Sequence, residues 1–231
     1  ERGTLVHRIL ERFILQFLVS GEPWPAFLDR AEKELRTIED EEFSLLPAGK
    51  SGVPLSWAIV MDQVRADLRT YLAAERVARA EGWIPISAEE AFVRVEIGAS
   101  PNTLIVRGKV DRIDRRGIDL RVVDYKTGSV RERAEGYRDG SSLQLPVYMA
   151  AARSNHATDL PDLHAEYHYV RRRARFTRIG LDGASIAADS RFDDVVATFR
   201  NGIAGGAFFP VPGGARRPNC TFCDFSRLCH S

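Results

Sequence analysis

Gly108-Lys109-Val110-Asp111-Arg112-Ile113-Asp114, followed beyond the short link Arg115-Arg116-Gly117 by Val122-Val123-Asp124-Tyr125-Lys126-Thr127-Gly128, is the stretch whose reading decides the fold. Two β-rich runs, 104–114 and 119–127, flank a link that suits a tight hairpin. Side chains alternate across a strand, so Asp124 and Lys126 share a face, and an aspartate of the adjoining strand can stand opposite them. Such a hairpin sets hard oxygen ligands of the kind magnesium prefers beside an ammonium that can hold a water or offset charge on a phosphate. Asp124 follows two valines on a strand with a core-facing side, where an unpaired charge is costly.

Upstream of the hairpin, residues 3–80 carry apolar side chains at spacings of three and four, as in Leu5, Val6, Ile9, Leu10, Phe13, Ile14 and Phe17. Loop signals interrupt this helical pattern at 21–25 and 47–52. After Trp83-Ile84-Pro85 the period becomes two, with Ala91, Val93, Val95 and Ile97 alternating with Phe92, Arg94 and Glu96. Downstream, the pattern predicts a helix over 141–153, strands over 163–170 and 175–179, and a helix over 192–203. The order of elements is that of an α/β domain: a helical lobe at 1–82, a mixed core at 83–204 and a loop-rich tail at 205–231 that holds all three cysteines. There is no internal repeat.

The 231 residues, 44% hydrophobic, suffice for one substantial core. The 33 basic residues nearly cancel the 32 acidic ones, so any electrostatic footprint for a nucleic acid must be local. Lysine occurs only at Lys33, Lys50, Lys109 and Lys126, which gives a lysine inside a motif more weight than usual. No run approaches the roughly 18 apolar residues of a membrane helix, and no leader pattern opens the chain. The expectation is a soluble, cytoplasmic protein without membrane attachment. Because Glu1 opens directly on a helical pattern, the chain is expected to be a fragment of a larger protein.

Two further pairs lie four apart on expected helices and so share a face: Gly3 with His7, and Gln144 with Tyr148. The order Gly-x-x-x-His, Gly-x-x-Asp-Arg, Asp-Tyr-Lys and Gln-x-x-x-Tyr, spanning Gly3 to Tyr148, resembles the RecB/AddB-type branch of the PD-(D/E)xK nucleases. The resemblance implies a restriction-endonuclease-like core with an N-terminal helical lobe, and a metal-dependent exonuclease acting on DNA in double-strand break repair and recombination. It also implies a helicase domain or subunit as partner. Asp111, Asp124, His7 and the main-chain carbonyl of Tyr125 would hold Mg2+ or, as the imidazole suits better, Mn2+. Lys126 would serve the attacking water, and Gln144 and Tyr148 would contact the strand or buttress the site. An acid on the first strand is also implied, for which Glu89 and Glu90 compete. A regular strand puts Glu89 with Ala91, Val93 and Val95 on the core face and Glu90 with Phe92, so Glu89 is preferred, and a bulge would reverse the choice.

The spacing Cys220-x-x-Cys223-x5-Cys229 is an awkward set for disulfides and resembles the carboxy-terminal part of the iron–sulfur staple of AddB-type nucleases. A 4Fe-4S cluster is implied for the intact protein, its fourth cysteine expected upstream of Glu1; zinc held with His230 is the alternative. Ala48-Gly49-Lys50-Ser51 ends like a phosphate-binding loop, but Ser44 stands where the first glycine belongs and no strand precedes it. The run Arg171-Arg172-Arg173, with Arg175 and Arg178, could meet phosphates along a strand. Two other readings stand beside the repair exonuclease: a stand-alone exonuclease of the CRISPR-adaptation type, and a catalytically inactive DNA-binding scaffold.

Overall fold

Five strands in the order β1-β2-β3-β4-β5 form one mixed sheet in a computed structural model that describes residues 2–45, 54–130, 134–156 and 162–207. Three helices precede it: α1 (Arg2–Ser20), α2 (Trp24–Ser44) and α3 (Pro54–Ala78). The strands are β1 (Ile84–Ile97), β2 (Leu104–Arg116), β3 (Asp119–Lys126), β4 (Leu163–Tyr169) and β5 (Arg178–Asp182). Helix α4 (Gln144–His156) crosses from β3 to β4, and α5 (Gly183–Ala187) and α6 (Arg191–Ala204) follow β5. Among the described residues no helix is long and apolar enough to cross a membrane.

β1, β2 and β3 pair antiparallel, β3 and β4 pair parallel through the α4 crossover, and β5 returns antiparallel to β4. The hairpin turn is tighter than expected: Arg115 and Arg116 belong to β2, Arg116 pairs with Asp119, and only Gly117 and Ile118 turn the chain. The last strand begins at Arg178, three residues later than the pattern predicts, because a 3-10 turn (Arg172–Ala174) and left-handed backbone at Arg175 and Phe176 occupy the interval. Residues 46–53 and 208–231, which hold the Lys50 loop, Cys220, Cys223, Cys229 and His230, lie outside the described residues.

Each face of the sheet packs on its own apolar cluster. Val123 and Tyr125 of β3 join Ile9, Phe13, Phe27, Leu68 and Tyr71 of the helical lobe. Leu120 and Val122 of the same strand join Phe92, Leu145, Met149 and Val196 on the other side. The parity follows from strand alternation, and a strand apolar on both faces is what burial on two sides demands.

The lobe is pinned to the sheet by charge. Arg112 of β2 is fully buried, and its guanidinium donates to Glu75 of α3 at 2.9 and 3.2 Å, to Asp114 at 2.5 and 3.1 Å, and to the Tyr71 hydroxyl at 3.1 Å. Arg121 adds two bonds to Asp114, at 2.7 and 3.0 Å. Burial alone would raise the Asp114 carboxyl, but the charges and hydrogen bonds of Arg112 and Arg121 outweigh it and hold the group below its ordinary value. Removing one partner of such a set strands the others without compensation. Glu75→Ala is therefore expected to cost about 3–5 kcal/mol of unfolding free energy, read by urea denaturation; a loss below about 1 kcal/mol would mean that Arg112 is solvated or repartnered.

Candidate active site

The β2–β3 ladder stops at the pair Arg112 and Val123. Just beyond it the Tyr125 amide donates at 2.8 Å to Asp111 Oδ2, so a side chain takes the place of the neighbouring strand's carbonyl. β1 is irregular at the same level. Glu89 adopts φ 48°, and lies between the registered pairs Ala88 with Arg112 and Glu90 with Val110. These departures bring both carboxylates to the side where α1 crosses.

His7 meets them there. Its Nδ1 is 3.4 Å from Asp111 Oδ2 and 4.0 Å from Glu89 Oε1, and its Nε2 is 2.9 Å from the Tyr125 carbonyl oxygen. One ligand atom from each of His7, Glu89 and Asp111 lies within 4.8 Å of the others. Gly3, one turn earlier, explains the close approach: a Cβ there would stand 3.0 Å from Thr127 Oγ1. The cleft beside this triad has a volume of about 440 Å³, and Lys109 at its rim pairs with Glu89 at 2.9 Å.

Asp124 and Lys126 form the neighbouring half. Lys126 Nζ lies 2.7 Å from Asp124 Oδ2, out of line for a hydrogen bond, and donates at 2.6 Å to Gln144 Oε1. Gln144 Nε2 donates to Asp124 Oδ1 at 3.2 Å and to the Tyr148 hydroxyl at 3.4 Å. Gln144 can do this because it opens α4, where the helix starts beside the end of β3. Tyr148 is held as a neutral hydroxyl, its value pushed to about 12 by burial and by the charges of Asp124, Asp111 and Glu89.

His7, Glu89, Asp111, Asp124, Lys126, Gln144 and Tyr148 thus meet at one end of the sheet, but not as one ligand shell. The tight triad is His7, Glu89 and Asp111, with the Tyr125 carbonyl against His7; Asp124 turns instead to Lys126 and Gln144. Glu89 is in the cleft, though the face argument that favours it fails. Ala91 and Val93 are exposed while Phe92, Val95 and Ile97 are buried, because a register shift between Phe92 and Val95 exchanges the faces of β1. Glu90 points elsewhere, to Asn155 and His156. The arginine run lies on a 3-10 turn rather than along a strand, and Arg178 is paired with Glu81 and Glu166. Glu75 escapes motif reading, although it stands at helical spacing from Val64, Leu68, Tyr71 and Leu72, where an acid on an apolar stripe signals a buried partner.

The donor set fits a hard divalent cation: carboxylate oxygens, a main-chain carbonyl and one imidazole converge, and the acids crowd each other. Burial first, and the charge of Asp111 second, push the Asp124 carboxyl up to about 6 against the pull of Lys126 and His7. His7 is raised above its ordinary value, chiefly by its hydrogen bond with Asp111, with the charges of Asp111 and Asp124 adding to it against burial. A cation held here would displace those protons.

The family model described as the PD-(D/E)XK nuclease superfamily matches residues 1–230. A subunit of an ATP-dependent helicase/deoxyribonuclease from Streptococcus pneumoniae (strain Hungary19A-6) is 29% identical over 154 residues, 64% of this chain and 13% of that protein. The exonuclease/helicase protein RexB of Streptococcus pneumoniae serotype 4 matches with the same figures. The corresponding helicase/deoxyribonuclease protein from Bacillus thuringiensis (strain Al Hakam) is 24% identical over 178 residues, 71% of this chain and 15% of that protein. The chain spans 13% to 15% of the length of these curated relatives.

The raised Asp124 carboxyl sets a pH dependence. A carboxyl raised in the folded state favours folding below its unfolded value near about 4 and loses that contribution as pH rises to about 6, so ionised Asp124 weighs on the cation-free protein at pH 8. Mg2+ or Mn2+ at one fixed concentration, about a hundredfold above the Kd at pH 8, is expected to raise the melting temperature by roughly 5 °C at pH 8 and far less at pH 5, and Asp111→Ala should lose the effect. Equal stabilisation at both pH values would contradict this account.

Proposed function

Since the chain belongs to the PD-(D/E)XK nuclease superfamily, we propose that it is a divalent-metal-dependent DNA nuclease whose reacting centre is the cleft shared by α1, β1, β2, β3 and α4. The observation that carries this reading is the convergence of His7, Glu89 and Asp111 beside an Asp124–Lys126–Gln144 cluster. Asp111, Asp124, His7 and the Tyr125 carbonyl are the groups proposed to hold the cation, with Glu89 within reach of the same position. When bound, it supplies Lewis acidity toward a phosphate oxygen and lowers the pKa of a bound water.

The chain's own side chains divide the remaining work. Lys126 presents an ammonium on the face of the site that Asp124 shares, suited to orient the attacking water and offset charge building on the phosphoryl oxygens. Gln144 fixes the Lys126 rotamer through its 2.6 Å bond and leaves its amide nitrogen to hold Asp124. Tyr148, kept neutral, is a hydrogen-bond donor for a strand oxygen at the far wall. These groups recognise backbone rather than base edges, so little sequence preference is expected.

The names of the relatives support a wider role. They are subunits of helicase-linked deoxyribonucleases, and we propose that residues 1–231 act as one nuclease domain of a larger helicase–nuclease in double-strand break repair. Cys220, Cys223 and Cys229 are proposed as iron–sulfur ligands on their spacing alone, to be tested by iron and sulfide content.

Asp111→Ala is expected to abolish Mg2+- or Mn2+-dependent cleavage of end-labelled DNA without loss of fold. Lys126→Ala should lower kcat about 10²-fold or more while DNA affinity stays within about threefold. Cleavage by Asp111→Ala at the wild-type rate would remove the proposed centre, and a wild-type chain that binds DNA but never cuts it would favour the scaffold reading.

A further inference from the structure

A second cleft, of about 400 Å³, opens on the other side of the first turn of α1. Arg2, Gln63 and Asp67 form one wall and Arg171, Arg172 and Arg173 the other. Its place is set by the fold: the Val170 amide donates to the Lys126 carbonyl at 3.1 Å, so the arginine turn leaves β4 beside the end of β3. Arg2 precedes Gly3, which lines the candidate active cleft and abuts Thr127. The two clefts are therefore neighbours along one edge of the molecule.

The turn is built to present its side chains. Asp67 Oδ1 accepts the Arg172 amide at 2.8 Å, the Ala174 amide donates to the Arg171 carbonyl at 2.8 Å, and Thr177 Oγ1 donates to the Ala174 carbonyl at 2.5 Å. The other carboxylate oxygen of Asp67 takes the Arg2 guanidinium. Asp67 is thus spent on the backbone of the turn and on Arg2, and among the described residues no carboxylate pairs with the guanidinium of Arg171, Arg172 or Arg173. Among the described residues Arg8, Arg12, Arg30, Arg65, Arg112 and Arg121 pair with carboxylates, whereas other arginines stand singly in solvent; the turn differs from both in gathering three consecutive guanidiniums on one cleft. Three consecutive unneutralised guanidiniums facing a cleft mark a place where anions are received.

We infer that this cleft binds backbone phosphates of the nucleic-acid strand whose scissile phosphate lies in the neighbouring cleft. The inference rests on the nuclease reading and adds to it a strand path, which runs from the arginine turn past Arg2 and Gly3 to His7. Guanidiniums suit phosphodiester oxygens because their planar donors pair with two acceptors at once, and contacts of this kind carry no base information.

The test is fluorescence anisotropy of a labelled single-stranded oligonucleotide with the whole chain in EDTA, so that binding is read without cleavage. The variant carrying Arg171→Ala, Arg172→Ala and Arg173→Ala is expected to bind at least tenfold more weakly, with a log Kd against log salt slope shallower by about 2. Replacement of the same three residues by lysine should restore most of the affinity, which a merely structural loss would not allow. Unchanged affinity and slope in the alanine variant would overturn the proposal. So would competition by inorganic phosphate as effective as by oligonucleotide, since that would mark a site for a free anion. Cleavage with Mg2+ at saturating strand reports separately: a chain that binds through the arginines but does not cut refutes the nuclease reading alone, and one that cuts with affinity indifferent to them refutes the strand path alone.

Discussion

The buried guanidinium of Arg112 is the constraint on which the rest of the arrangement depends. It joins α3 to β2 by way of Glu75 and Asp114, in a place with no solvent to replace a lost partner. Buried ion pairs of this sort contribute orientation more than net stability, because desolvation consumes much of the Coulombic gain. Orientation is what the cleft requires. His7 belongs to the helical lobe and Asp111 to the sheet, and their 3.4 Å approach holds only while the lobe keeps one angle on the strands. The Tyr71 and Tyr125 hydroxyls, 3.3 Å apart, and the closeness allowed by Gly3 act in the same direction.

The second constraint is the alternation of β3. With Val123 and Tyr125 committed to the lobe and Leu120 and Val122 to the opposite core, Asp124 and Lys126 fall on the α4 side at the point where the strand ends. Gln144 opens α4 there and engages both. In open α/β sheets this is the end at which loops gather and ligands are met. The arginine turn leaves β4 at the same end, because β4 runs parallel to β3.

Much of this is legible in the sequence wherever periodicity decides. The three-and-four spacing marks α1 through α3, period two marks the hairpin, and the parity of Asp124 with Lys126 follows from their spacing alone. What escapes depends on departures from regularity. Glu89 is preferred for an apolar face that it does not share, since the positive φ at Glu89 and the register shift after Phe92 leave no composition signal. The separation of Asp124 from the His7, Glu89 and Asp111 triad depends on a side-chain contact with Gln144 that spacing does not encode. Glu75 is readable in principle as an acid on the buried stripe of α3, but its partner lies 37 positions away in another element.

The Tyr125 amide has one more consequence. Most amides inside a sheet are held by another amide's carbonyl and change little until the strands part. This one is held by the carboxylate of Asp111, a group with its own chemistry, while the carbonyl of the same residue faces His7. Both ends of Tyr125's backbone are thus wired to the cleft. Its nitrogen chemical shift and exchange rate respond to whatever occupies or protonates that carboxylate, so the protein carries a native spectroscopic gauge of its own centre, with no label beyond an isotope.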